Sequence, residues 1–261
     1  MSLIEFSSFV NDLATHSGRA ILPFFRTALS VGDKSTGADF DPVTEADRAG
    51  ESVMRHMIKQ HFPGHGIIGE EFGAENGEAE YVWVLDPIDG TRAFMSGLPL
   101  WGTLIGLTRH GKPGFGMMHQ PFIGERFSGD GGAAHYDGPH GARSLNTRNC
   151  PDLAGATLMA TTPDMFTGAA AEAFARVQEK ARLTRFGCDC YAYCMVAAGH
   201  VDLVIENGLK PYDIVALIPI IEGAGGIVTS WDGGDPTRGG AIIAAGDRRV
   251  HEQAMALLAG R

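Results

Sequence analysis

Asp86 and Asp89 stand three residues apart in Leu85-Asp86-Pro87-Ile88-Asp89-Gly90-Thr91, at the end of an uncharged run over residues 82–85. Two carboxylates at that spacing offer the hard oxygen ligands that Mg²⁺ prefers, and nothing beside them forms the imidazole and thiolate cluster that zinc favours. Beyond Gly90, the backbone N–H groups of a turn or helix start can face an anion, and Thr91 adds a hydroxyl. Metal ligands beside an anion cradle are the equipment of a divalent-metal phosphatase. The plainer alternative is a solvated strand-to-loop turn, because Asp-Pro and Asp-Gly are common turn dipeptides.

Other acids recur at the ends of predicted elements. Residues 82–85 are β-rich and can lie buried, with Pro87 and Gly90 expected to turn the chain out of the sheet. Residues 66–69 read as a second short strand that delivers Glu70 and Glu71 at its end. Ser2-Leu3-Ile4-Glu5 reads as a capping box, and Phe6, Phe9, Val10, Leu13, Ala20, Ile21 and Phe24 follow at helical spacing. After a polar loop over 33–41, Thr44 is the expected N-cap of a helix with apolar face Val53, Met54, Met57 and Ile58, and Asp47 falls in its first turn. Strands over 101–108 and 115–119 flank a predicted hairpin turn over 111–114. Residues 1–140 thus read as helices laid on a largely antiparallel sheet.

Residues 141–261 read as α/β, the two halves forming one compact unit. Strands over 156–160, 183–186, 201–206, 227–230 and 241–245 alternate with helices over 169–180 and 191–199. Asp213 opens a helix over 214–224, between Pro211 and Gly225-Gly226, with a kink expected at Pro219, and Asp247 caps a last helix. Asp47 and Asp213 each have a second reading, as first-turn acids that favour the helix macrodipole without any metal.

The chain of 261 residues is 44% hydrophobic, enough for a full core. Its 21 basic and 31 acidic residues leave a net charge of −10, with no basic block, which disfavours nucleic acid or an anionic membrane as partner. The start lacks a signal-peptide pattern and no apolar stretch is long enough to span a bilayer, so a cytoplasmic protein is expected. Cys150, Cys188, Cys190 and Cys194 do not follow zinc-knuckle spacing and read as reduced, buried thiols. His61 and His65 have a ligand spacing, but Pro63 and Gly64 between them would break a helix, so both read as loop residues.

Taken together, Asp41-Pro42-Val43-Thr44-Glu45-Ala46-Asp47, Gly69-Glu70-Glu71, Asp86-Pro87-Ile88-Asp89-Gly90-Thr91 and Pro211-Tyr212-Asp213 with Glu222-Gly223-Ala224-Gly225-Gly226 resemble the inositol monophosphatase family of Mg²⁺-dependent phosphatases. The resemblance covers nearly the whole chain. It implies an alternating αβαβα sandwich, of the inositol monophosphatase and fructose-1,6-bisphosphatase type, and a homodimer. It implies one Mg²⁺ on Glu70, Asp86 and the Ile88 carbonyl, and a second on Asp86, Asp89 and Asp213, roughly 3.5 to 4 Å apart as two-metal sites require. Thr91 and Asp47 would orient and deprotonate the attacking water, and Glu70 with Glu71 would assist through a third, weaker metal. The Gly90 and Thr91 amides would grip the phosphate, Asp213 would also border the substrate, and Lys34 would sit in a nearby loop.

Within this family the metal site alone does not choose the phosphate ester. The stretch Gly187-Cys188-Asp189-Cys190-Tyr191-Ala192-Tyr193 and the run from Val201 to Asp213, above all Leu209-Lys210-Pro211-Tyr212, resemble the histidinol-phosphatase branch. Histidinol phosphate carries an ammonium and an imidazole, which Asp189 and Glu206 could pair with in a partly desolvated pocket. Asp189 could instead cap the helix that follows it, and a carboxylate such as Glu206 also accepts sugar hydroxyls. Arg92 and Arg185 are further candidates near the site, or simply surface cations. Inositol monophosphate or another sugar phosphate is the alternative substrate, and a regulatory protein binding RNA or the transcription machinery is the alternative of another class.

Overall fold

A computed structural model describes residues 3–27 and 42–260. The polar loop before Asp41, Lys34, and Ser2 of the expected capping box lie outside them. The first half holds α1 (Leu3–Ile21), α2 (Pro42–His61), β1 (Gly66–Gly69), β2 (Gly73–Glu75), β3 (Tyr81–Asp89) and α3 (Thr91–Met95). Then come β4 (Gly102–Arg109), β5 (Lys112–Gln120), β6 (Glu125–Gly129), β7 (Ala134–Asp137) and β8 (Arg143–Ser144). The second half runs β9 (Thr157–Ala160), α4 (Ala169–Lys180), β10 (Leu183–Phe186), α5 (Asp189–Ala197), β11 (Leu203–Leu209), α6 (Pro211–Ile214), α7 (Leu217–Gly223), β12 (Ile227–Ser230), β13 (Gly240–Ala245) and α8 (Arg248–Leu258).

The strands form an eight-stranded sheet in the order β2-β1-β3-β4-β5-β6-β7-β8 and a five-stranded sheet in the order β10-β9-β11-β13-β12. The first sheet is antiparallel throughout except where β1 runs parallel to β3. It ends at Ser144, and the second begins at Thr157.

Period-two alternation sorts the strands of the second sheet into two faces. Leu203, Ile205, Ile243 and Ala245 turn toward Phe174 and Val177 of α4 and Val250 and Ala254 of α8. Val204, Ile242 and Ala244 turn the other way, onto Tyr193, Cys194 and Ala197 of α5 and Leu217, Ile220 and Ile221 of α7. That central layer also receives Leu104, Met118 and Phe127 from the first sheet, whose opposite face packs Trp83, Leu85 and Ile105 on Val10, Leu13, Met54 and Ile58 of α1 and α2. Both sheets are therefore covered on both sides, giving the αβαβα sandwich. No helix among the described residues is long and apolar enough to cross a membrane.

Several local expectations are corrected. β3 does not leave the sheet at Pro87: Asp86 pairs with Leu104 and Asp89 with Gly102, with a register shift between them. Proline lacks a donor, and a bulge accommodates that loss while pairing resumes. Helix α2 begins at Pro42, so Thr44 lies inside it rather than at its cap. The β4–β5 turn is His110-Gly111, both at positive φ (49° and 74°), and Lys112 and Pro113 already belong to β5. That is the two-residue hairpin geometry whose twist matches the strands. The expected single helix over 214–224 is two, α6 and α7, interrupted at Val215-Ala216 instead of at Pro219. The ring of Pro219 excludes the helical carbonyl four residues earlier, which is that of Val215, so the break falls upstream.

His61 is the last residue of α2, its Nδ1 2.9 Å from the Met57 carbonyl oxygen. His65 accepts from Trp83 Nε1 at 3.1 Å and stacks on Phe62 and Tyr81, so the pair does aromatic packing. All four cysteines are free and buried, and Asp247 caps α8 by accepting from Arg249 N, as expected.

Candidate active site

Parallel pairing of β1 with β3 sets Gly69 opposite Leu85, so Glu70, just past the end of β1, comes level with Asp86 inside β3. The Glu70 N–H still donates to Leu85 O at 3.2 Å, which holds the two acids side by side. Asp86 is 2% exposed and accepts from the Ile88 N–H at 3.0 Å, while Thr103 Oγ1 donates to Pro87 O at 2.8 Å. The bulge over Asp86–Asp89 is thus fixed by its own acid and by the neighbouring strand.

Gly90 turns the chain with φ 95° and ψ 39°, and a side chain there would press on Trp101 and the Leu100 carbonyl. Only glycine suits a left-handed residue so tightly packed. Thr91 then starts α3, its hydroxyl donating to Ile88 O at 3.3 Å. Asp213 arrives from the far end of the sequence on α6. Its Oδ2 accepts the Lys210 N–H at 2.7 Å, so it caps that helix and faces the other acids at once.

The acids fall into two groups with ligand oxygens within 4.8 Å of one another: Asp47, Glu70 and Asp86, then Asp86, Asp89 and Asp213. Asp86 belongs to both, as a bridging ligand would. Asp47, assigned from the sequence to proton handling with Thr91, is here also near enough to Glu70 and Asp86 to join a metal's ligands. Burial, then Glu70, Asp89 and Asp213, push the Asp86 carboxyl well above its ordinary range, and burial followed by Asp189 does the same to Asp89. Asp213 is raised by burial to about 6. Glu70 is exposed as a whole residue, yet its carboxyl points into the cleft. Desolvation there, then Asp213, push it up to about 7. An all-oxygen, mutually repelling set of this kind fits hard divalent cations, which would stabilise every ionised form together.

A cavity of about 230 Å³ opens over these acids, and Asp189, Glu206, Thr161, Tyr193, Met165 and Leu209 line its far side. Glu206 is 2% exposed and fully engaged. Its Oε1 accepts from Thr161 N at 2.9 Å and Thr161 Oγ1 at 2.5 Å, and its Oε2 from Tyr193 OH at 2.9 Å. Burial still raises it to about 7, against those hydrogen bonds. Asp189 does not cap the helix, since Cys188 occupies the cap position and Asp189 is the first residue of α5, held at φ 41°. Burial raises its carboxyl, opposed by the Thr161 hydroxyl and by Arg92. The next amide, Cys190 N–H, donates to Asp89 Oδ2 at 2.6 Å and ties the two sides of the cavity together.

Arg92 lines the cavity, whereas Arg185 is exposed on β10 and does not. Glu71 is the expected acid that joins neither group: its carboxylate is 3.6 Å from Arg48. Thr161 and Tyr193 had no assigned role in the sequence. Tyr193 could have been found from its helical spacing of four after Asp189, but Thr161 follows an ordinary apolar strand and carries no local signal.

A site of paired carboxylates at the rim of an αβαβα sandwich defines a metal-dependent phosphomonoester hydrolase, and the inositol monophosphatase family profile matches residues 3–260. The chain belongs to that Mg²⁺-dependent family. It is 43% identical, over 97% of its length and 75% of the relative's, to the chloroplastic bifunctional phosphatase IMPL2 of Arabidopsis thaliana. It is 34% identical to the histidinol-phosphatase of Mycobacterium tuberculosis, covering 85% of this chain and 86% of that one. Among solved structures, an inositol monophosphatase from Zymomonas mobilis superposes with a TM-score of 0.89 at 40% identity, covering 99% of this chain and 100% of that chain.

Proposed function

We propose that the protein hydrolyses L-histidinol phosphate to L-histidinol and phosphate, as a step of histidine biosynthesis. The observation that carries this reading is the far side of the cavity, where Asp189 and Glu206 add two carboxylates beyond those needed for metal. Glu206 is satisfied by neutral donors, so its charge is left uncompensated by the fold. A leaving group that carries an ammonium supplies the missing charge, and an inositol ring does not. The likeness to a histidinol-phosphatase supports the same choice.

In this reading Glu70, Asp86, Asp213 and Asp89, with the Ile88 carbonyl, would hold two Mg²⁺. When bound, these ions neutralise phosphate charge and make a water acidic enough to act as nucleophile at neutral pH. Thr91 orients the water and Asp47 accepts its proton, and the Gly90 and Thr91 amides hold the phosphoryl oxygens. The water oxygen bonds to phosphorus, the ester P–O bond breaks in line, the leaving alkoxide takes a proton from solvent, and Asp47 returns the proton it accepted to solvent. Asp189 and Glu206 act on binding and orientation and take no part in bond making.

Phosphate release from histidinol phosphate, inositol 1-phosphate and fructose 1,6-bisphosphate, each with Mg²⁺ and with chelator, tests the proposal. The expected result is a kcat/KM preference for histidinol phosphate on the order of a hundredfold, abolished by chelator. Equal or reversed rates would reject the substrate and leave the class of chemistry standing. The Zymomonas mobilis structure makes an inositol phosphate the alternative to beat.

A further inference from the structure

Helix α2 carries a second acid, one turn after Asp47. Glu51 is fully buried, with 0% exposure, and is not one of the metal-group acids. Its oxygens are aimed at the turn between β1 and β2. Oε2 accepts the Glu71 N–H at 2.8 Å, and Oε1 accepts the Phe72 N–H at 3.3 Å and Arg55 Nε at 2.7 Å. Arg55, itself 8% exposed, continues onto the Gly73 carbonyl through Nη2. On the strand side, Glu70 N–H is tied to Leu85 O. The peptide units on both sides of Glu70 are therefore anchored, one to β3 and the other to α2.

The approach requires Gly69, because a Cβ there would fall inside the Glu51 carboxylate. Spacing of four puts Asp47 and Glu51 on one helix face. Helix α2 thus presents one acid of the Asp47–Glu70–Asp86 group directly and fixes the backbone of another.

We propose that Glu51 is a positioning residue for the divalent-cation site, holding the Glu70 turn at the distance from Asp47 and Asp86 that the ion needs. The inference rests on Glu70 being a metal ligand. Outer groups of this kind act by removing alternative orientations of the ligand before the ion arrives, so their loss is read in metal affinity.

The test uses the full metal-free chain and Mn²⁺, with binding followed by loss of the free-ion electron paramagnetic resonance signal, alongside kcat at saturating Mg²⁺. Glu51→Gln keeps size but places an NH₂ group against a backbone donor. Gly69→Ala leaves Glu51 intact and displaces its carboxylate. Both should weaken Mn²⁺ on the order of tenfold while kcat at saturating Mg²⁺ stays within about threefold. Asp202→Asn, a buried change just before β11 of the other sheet, should lower the urea midpoint and leave Mn²⁺ affinity unchanged, which separates positioning from general loosening. If Glu51→Gln fails to fold, Gly69→Ala decides. Unchanged Mn²⁺ affinity in folded Glu51→Gln or Gly69→Ala overturns the proposal, as does a loss no larger than that of Asp202→Asn. Glu70→Gln is the reference arm: if it too binds Mn²⁺ normally, the ligand assignment of Glu70 has failed, and otherwise only the clamp has.

Discussion

Asp86 and Asp202 are buried aspartates, one in each sheet region, and the protein treats them in opposite ways. Asp202, 1% exposed, accepts from Arg148 Nε at 2.7 Å, from Arg148 Nη2 and from Thr157 N at 2.7 Å. Burial alone would raise its pKa, but Arg148 and the Thr157 amide outweigh that and hold it below the ordinary value. Asp86, 2% exposed, receives the Ile88 amide and otherwise faces Glu70, Asp89, Asp213 and Asp47, and it is raised. A buried acid that the fold neutralises serves the fold. One left among its own kind is placed for a cation from outside.

Asp86→Asn should give the largest effect and the clearest contrast. The amide retains an acceptor for Ile88 N–H and brings a donor to the neighbouring carboxylates, so repulsion falls. Several kcal/mol of metal-dependent transition-state stabilisation should vanish, a drop in kcat/KM on the order of a thousandfold or more. The metal-free thermal midpoint should rise by roughly 3 °C, as relief of a modest repulsion implies for a chain of this size. Calorimetry on chelated protein with a parallel phosphate-release assay reads both quantities. A midpoint that falls would place Asp86 with Asp202 as a structural acid, and retained turnover would remove the bridging assignment.

Asp202→Asn should do the reverse. It unpairs Arg148 and weakens the acceptor of Thr157 N–H, and since the Arg148 side chain is 38% exposed, solvent recovers part of the loss. A destabilisation of about 2–3 kcal/mol is expected in urea denaturation, below the range for wholly buried pairs. Turnover per folded molecule should be unchanged. Because the native pKa is depressed, the wild-type pair contributes stability above the unfolded value near 3.9, lost as pH falls through the native pKa, so the variant's deficit should close in acid. A deficit that persists there would mean the pair matters through packing instead of charge.

The same contrast explains what could be read from the chain. Asp86-Pro87-Ile88-Asp89-Gly90-Thr91 was legible because strand end, turn residues and ligand types are all local. Residues 169–180, 183–186 and 227–230 were legible to the residue because an alternating or helical apolar pattern met a clear stop. The conjunction of Asp86 with Asp213 came through family resemblance, since no periodicity links positions so far apart. Physical reading failed where a backbone detail decides: the bulge that keeps β3 paired beyond Pro87, the break that Pro219 forces one turn upstream, the positive φ of Asp189. Thr161 and Glu51 stayed hidden because a threonine after a strand and a glutamate on a helix are ordinary until their partners are in place.

Glu206 lies between the two extremes, and its variant should give the smallest effect. Like Asp202 it is fully hydrogen-bonded, and like Asp86 it is raised, to about 7. If it belongs with the acids that await a cation, Glu206→Gln should raise KM for an ammonium-bearing ester about tenfold, with kcat changed far less, because the lost interaction is already made in the ground state. The sign of the pH dependence follows from the raised pKa. Below about 7 the free carboxyl is protonated and binding of a cation must expel that proton, so wild-type KM should fall as pH rises through 7 and then level. The glutamine variant should lose that slope, and inositol 1-phosphate should not show it with either protein. A variant that loses stability and keeps both KM and its pH slope would move Glu206 to the side of Asp202, and the cavity's far wall would then be scaffold.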